Sequence, residues 1–338
     1  QKKLFFTIYI NQPLYGSIIM DLQTRISEIE RLNVEGIAST GGPDRDLNDA
    51  REKHLEASEL AENDEVHPDH YAFSMANAAY AQRQAEGLPA ALRSLDEGLE
   101  YLEERAEAGA TPSFAGTGRI FEEKSLLRRA AKEYREEELM HGLVEAQLAI
   151  DSYTRAEPNV DNEILDSKQI LDRRARTLGI LGMIYKELAE EAGFNKGPIR
   201  ELLLRRSIHK TEGELNIRTE KLGQTEGQGL ANTYHGLGIV QTEVGDYHGA
   251  GSSFSKAFGL TTSDRTRVTL QLRMAWLKYT IDPDNRDAIT HHMDEFLDGS
   301  GVLTGNDRRL ISHQAIALGS HLGGDFEAGV AALYTPDD

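Results

Sequence analysis

ANTYHGLGIVQTEVGDYHGAGSSFSKAFGLTTSD, residues 231–264, is the stretch that decides the fold. Tyr234, Leu237 and Val240 recur every three residues and so share one face of a helix. Ala250, Phe254 and Ala257, spaced by four and three, share one face of a second. Between them lies Gly245-Asp246. Glycine adopts the left-handed conformation that ends a helix, and aspartate caps the next. Gly238, Ala250 and Ala257 are small enough to let the two helices approach, with Phe254 filling the groove between them. The stretch therefore predicts an antiparallel helix hairpin.

Those residues, read as Tyr234, Leu237-Gly238, Gly245-Asp246-Tyr247, Ala250, Phe254 and Ala257, resemble the tetratricopeptide (TPR) repeat, a helix–turn–helix of 34 residues. Gln241 stands where that family usually has Tyr, and Thr262 where its repeat ends in Pro. Leu178, Leu181-Gly182 and Tyr185 form a second match upstream. The resemblance implies an all-α, TPR-like α-solenoid of about seven antiparallel helix pairs forming a right-handed superhelix.

The flanking sequence reads as degenerate versions of the same unit. Leu22, Ile26, Ile29 and Leu32 or Asn33 mark one apolar stripe, ended by a turn at residues 39–43. Asp46 or Asp44 caps a helix carrying Leu47, Ala50, His54, Ala57 and Ala61, and a loop follows at 63–69. Tyr71, Met75, Ala78, Ala79 and Gln82 make the next first helix. Gly87-Leu88-Pro89 turns into Ala91, Leu95 and Leu99, with Pro at a tolerated first-turn position. Residues 109–118 read as a connector. A third pair follows over 119–135 and 138–155, with Ala146, Ile150 and Tyr153 on its second helix. The fourth pair, from Glu163, has its second helix displaced by residues 193–198 and running long, over 199–222. Residues 268–279 then pair with Ala288, His292 and Phe296, and 309–322 with 326–333. Residues 1–20 differ from the rest in having two lysines and no acid. They read as an atypical arm packing on the first helices, or as sequence upstream of a start at Met20. Residues 21–338 read as one helical-repeat domain.

Composition limits the chemistry. Of 338 residues 56 are acidic and 37 basic, only 12 of them Lys, for a net charge of −19, and there is no Cys. Such a charge disfavours nucleic acid, whose phosphates need a basic footprint. Lack of Cys removes disulfides, thiol chemistry and thiolate metal sites. The acidic, lysine-poor surface resembles that of proteins from halophilic archaea. Lys2-Lys3 before an apolar run has the look of a signal peptide, but Asn11-Gln12-Pro13 interrupts it and the run is too short to cross a bilayer. A cytoplasmic protein without membrane association is expected.

Catalytic signatures are missing. There is no G-x-x-x-x-G-K-[ST], H-E-x-x-H or G-x-S-x-G, and the glycines of 299–305 follow a helix rather than a strand. His67-Pro68-Asp69-His70 reads as a capping loop, since a metal there needs further ligands from elsewhere. Asp282 to Asp287 lacks the Gly and closing Glu of a calcium loop and reads as a turn and cap. His291-His292 reads as a core position. No catalytic residue, metal or cofactor is expected. Residues 118–221 are nearly neutral, with 19 basic and 20 acidic side chains. Their arginines either pair with local glutamates on solvated faces or line a segment that receives a partner's carboxylates.

TPR proteins line a concave groove with their first helices and hold a partner's peptide or helix there. Mapped onto this chain, the resemblance places Asn232, His235, Ile239 and Thr242 of the best-matched repeat in that groove. Arg176, Met183 and Lys186 belong to the repeat before, and Arg83 lies further upstream. The implied function is a non-enzymatic scaffold or adaptor with a protein or peptide partner. The alternative is a regulatory sensor that closes around a small ligand or signalling peptide. The acidic surface makes one prediction directly: the helical circular-dichroism signal should fall in dilute buffer and return in molar salt. A signal unchanged by salt would remove the halophile reading.

Overall fold

A computed structural model describes residues 12–40, 46–62, 66–131, 133–162, 165–192 and 197–334. Residues 1–11, and parts of the turns and loops expected at 39–43, 63–69 and 193–198, lie outside the described residues. Among those described there are fourteen α-helices and no strand. They are α1 (Gln12–Ser39), α2 (Leu47–Ala61), α3 (Pro68–Glu86), α4 (Leu88–Glu107), α5 (Phe114–Arg129), α6 (Arg135–Ala156) and α7 (Ser167–Glu191). The rest are α8 (Gly197–Asn216), α9 (Gln228–Glu243), α10 (Tyr247–Leu260), α11 (Asp264–Ile281), α12 (Arg286–Gly299), α13 (Gly305–Leu322) and α14 (Gly324–Leu333). The chain divides into two compact units, Gln1–Ile170 and Leu171–Asp338.

In the first unit α1 packs on α2, α3 on α4 and α5 on α6, with α3 also against α5. Alanines permit this closeness: Ala72, Ala76, Ala79 and Ala91 are buried with Leu95, Ile120 and Leu127 in one cluster. Asp46 caps α2 by accepting from the N–H groups of Asn48 and Asp49, as its position predicts. α1 begins at Gln12, so helix extends into the segment read as an arm.

α5 departs most from the sequence reading. Residues 114–118, expected in a connector, form its first turn. The small residues there mark close contact rather than a loop. A Cβ at Gly118 would stand 2.9 Å from the Tyr153 ring of α6, and the Gly116 N–H donates to buried Asp69 of α3 at 2.9 Å. α5 also buries charge. Arg119 pairs with Glu123 at 2.8 Å, Arg128 with Glu145 at 2.9 Å, and Lys124 with Asp96 at 2.5 Å. The Tyr153 hydroxyl donates to Glu122 at 2.8 Å. Each buried charge meets an opposite charge or a donor, without which its desolvation would be prohibitive.

In the second unit α7 packs on α8 through Gly182, whose carbonyl accepts from the Ser207 hydroxyl at 2.7 Å. α8, expected to run long over 199–222, is helical from Gly197 to Asn216 and continues as a π-helical turn over Ile217–Lys221. There Arg218 reaches Glu214 and Asp172, each at 2.8 Å. In the α9–α10 hairpin Phe254 is 1 % exposed and packs against Gly238, where a Cβ would sit 2.6 Å from its ring. On α12 the core residues are Ile289, Met293 and Phe296. The expected Ala288 and His292 are half-buried, one position out of register with the core. His292 instead shares a hydrogen bond with Gln271 of α11. Asn285 caps α12, confirming the turn-and-cap reading of that loop.

The Gly238–Phe254 contact predicts that Gly238→Ala destabilises the unit by about 1–3 kcal/mol through overpacking. Phe254→Leu alone should also destabilise, by leaving a void. In the Gly238→Ala background the same change should cost less, and a double-mutant cycle from urea unfolding would measure that coupling. Strict additivity would refute the contact's importance.

Candidate partner-binding face

The residues expected to line a groove fall in both units. Arg83 belongs to α3 of the first, where its guanidinium donates at 2.5 Å to the Ala130 carbonyl just past the end of α5. The other seven belong to the second unit. Arg176, Met183 and Lys186 lie on α7, and Asn232, His235, Ile239 and Thr242 on α9. Arg176 and Asn232 are exposed and Met183 is half-buried. Asn232 accepts from Gln228 one turn away at 2.7 Å. Thr242 returns its hydroxyl to the Gly238 carbonyl at 2.8 Å, within its own helix. Ile239 packs toward the cluster of Ala250, Phe254, Leu270 and Leu277, which makes it part of the α9–α11 core.

Three charged residues absent from that expectation complete this face. Glu243 of α9 lies 3.6 Å from Lys186 of α7 and 3.0 Å from Arg200 of α8, so one carboxylate joins three helices. Burial raises its pKa; Lys186 and Arg200 oppose that rise and Glu190 adds to it. On α11, Arg273 donates to Gln314 of α13 at 2.7 Å, and burial lowers its pKa against the pull of Glu243 and Glu190.

Several buried side-chain nitrogens and oxygens among the described residues, in both units, make no hydrogen bond, and two of them lie beside these charges. His235 Nε2 and Arg273 Nε are buried without a hydrogen-bond partner. The His235 ring stands edge-on to Phe254, centroids 6.2 Å apart. Burial, and secondly the Arg273 charge, push its pKa down to about 4, so the imidazole is neutral at pH 7. Unpaired buried groups cost stability, about 1–3 kcal/mol each, and are rare in folded proteins.

Two of these three charged residues carried a usable signal. Glu243 lies four residues beyond Ile239 on the same helical stripe, and Arg273 lies 34 residues after Ile239, one TPR period on. Sequence reading passed over them because a Glu and an Arg in so charged a chain do not stand out.

Elsewhere, the histidine loop before α3 is a cap: His67 Nδ1 accepts from the Asp69 N–H at 3.3 Å. Among the described residues no helix is long and apolar enough to cross a membrane. The near-neutral segment's arginines are in part consumed locally, Arg128 by Glu138 and Glu145, and Arg205 by Glu201.

No protein-family model matches the chain, and no curated protein does. Among solved structures it is similar to one described as Assembly Chaperone of RpL4 (Acl4), residues 1–338. The identity is 13 %, the TM-score 0.44, and the match covers 90 % of this chain and 95 % of the other. A likeness at that score has no bearing on what this chain binds.

His235 generates a prediction of its own. A histidine that is neutral when folded, near pKa 4, but titrates normally near 6.5 when unfolded binds fewer protons in the native state. Its burial therefore lowers stability progressively as pH falls from 6.5 to 4, by up to ~1.4 kcal/mol per pH unit. His235→Phe should keep the contact with Phe254, remove the unpaired nitrogen and raise stability, more at pH 5 than at pH 7.5. Urea unfolding at the two pH values checks this; an equal or negative change at both would show that Nε2 has a partner.

Proposed function

We propose that the chain is a non-enzymatic interaction scaffold whose second unit holds a peptide or helix of a protein partner against α7, α9 and α11, as TPR proteins do. The observation that carries this reading is the pair of unmatched nitrogens, His235 Nε2 and Arg273 Nε, beside the ion pairs joining Glu243 to Lys186 and Arg200. Polar groups buried at a cost to the fold suit a surface completed by another molecule's acceptors. Exposed Arg176 and Asn232 extend that surface along α7 and α9, and Met183 adds an apolar contact. The acidic, lysine-poor composition accords with a halophilic setting, in which the partner would be met at high salt.

The test is affinity capture from a source-like extract at high salt, followed by native mass spectrometry. A stoichiometric polypeptide should be retained by the natural sequence and lost from the Arg176→Ala/Asn232→Ala/His235→Phe variant, with its helical signal intact. Retention by that variant would remove this face as the site. A bare protein carrying a small bound mass would replace the scaffold reading with the ligand-sensor one.

A further inference from the structure

The second unit contains a cleft of about 760 Å³ between α10, α11 and α12, lined by none of the candidate-face residues. One wall is a single stripe of α11: Met274, Leu277, Lys278 and Ile281, spaced so that all four face the same way. The opposite wall is α10, whose Tyr247, His248, Gly251, Ser252 and Ser255 are mostly too small to close the gap, and His292 of α12 completes the lining. The volume is within the range, about 300–1,000 Å³, of sites that take small molecules.

Its chemistry is asymmetric. The α11 wall is apolar over Met274, Leu277 and Ile281, with Ile281 56 % exposed at the rim. The polar groups, Tyr247, His248, Ser252, Ser255 and His292, lie on the α10 and α12 sides, and among the described residues no carboxylate lines the cleft, in a chain with 56 acidic residues. Lys278 is exposed and has no ion-pair partner among the described residues. His292 is held by Gln271 through Nδ1 at 2.8 Å, and burial, then the charges of His291 and Lys278, keep it neutral. Lys278 is therefore the cation of the cleft, set on the same stripe as the apolar wall.

From this juxtaposition we infer that the α10–α12 cleft binds a small amphipathic anion, its apolar body along Met274, Leu277 and Ile281 and its head group on Lys278. The arrangement orients such a ligand: the tail leaves water while the head stays at the exposed rim, where a lysine's long stem can follow it. A neutral apolar ligand of the same length would use the wall but gain nothing from Lys278. This site is independent of the face on α7, α9 and α11, so either can stand without the other.

The chain's six methionines supply the readout, because Met274 lines the cleft while Met75 and Met293 are buried in core clusters. With methyl-¹³C methionine labelling, decanoate is titrated at the lowest salt that retains the full helical signal, and decanol is the uncharged comparison. The Met274 methyl resonance should shift saturably with decanoate while Met75 and Met293 stay in place. Lys278→Glu, at an exposed position, should weaken decanoate roughly tenfold and leave decanol unchanged, since attraction becomes repulsion. Ile281→Glu, also exposed, should weaken both. Equal shifts at all the methionines, or no shift at Met274, would overturn the site. A Lys278→Glu variant that binds decanoate as the natural protein does would overturn the assignment of the anion.

Discussion

Everything in this molecule depends on helices being able to touch. Its pairs meet where a glycine on one helix receives a larger group from the next: Gly118 faces Tyr153, Gly182 faces Thr211, and Gly238 faces Phe254. In each case an added Cβ would come within 3.0 Å of that group. Contact at this range brings many dispersion interactions together over a small area and leaves little void. It also explains a core built heavily from alanine, in which Ala72, Ala76, Ala79 and Ala91 stand where a looser fold would need leucines. Glycines inside helices lower helix propensity by about 1 kcal/mol each, so these positions are tolerable only because packing returns more than propensity loses.

The second constraint is charge. A chain that is 28 % charged cannot keep every ionised group on its surface while stacking helices on both faces. α5 in the first unit and α8 in the second take charge inside. Glu145 sits between Arg128 and Lys124, and Glu214 beneath Arg218. Burial raises the pKa of both carboxylates, while their arginines pull the other way. Such pairs contribute little net stability compared with an apolar core, but breaking one leaves an uncompensated charge. Arg128–Glu145 joins α5 to α6, whereas Glu214–Arg218 lies within one helical run and reaches α7 only through Asp172.

These two constraints also decide what the sequence discloses. The hairpin at 231–264 was legible because its apolar, small and capping residues each have one plausible use, and the structure places Gly238 against Phe254 as that reading requires. Asp46 and Asn285 were legible as caps for the same reason, since a side-chain acceptor before an apolar stripe acts locally. The start of α5 was not legible, because Ala115, Gly116 and Gly118 have the composition of a turn. Only Tyr153 and Asp69, far along the chain, make them helical contacts. His292 was placed one residue out of register because Met293 beside it is equally able to fill a core. On the candidate face, the first-helix positions came from the TPR resemblance. The roles of Glu243, Arg200 and Arg273 did not, because they arise from distances between helices that no single-helix pattern contains.

The placement of His235 ties these strands together. It occupies the side of α9 next to the Gly238–Phe254 contact, so the tight approach that makes the hairpin possible is also what buries its ring. A phenylalanine or leucine there would satisfy the packing without an unmatched nitrogen. Packing alone therefore does not select histidine at this position, and neither does charge, because the ring is neutral at physiological pH. Arg273 poses the same question on α11: its charge is buried where Glu243 and Glu190 compensate only in part, with one guanidinium edge on Gln314 and its Nε on nothing. The cost of each unmatched nitrogen is therefore set against the packing around it, and the fold accepts the same cost at other buried side chains in both units.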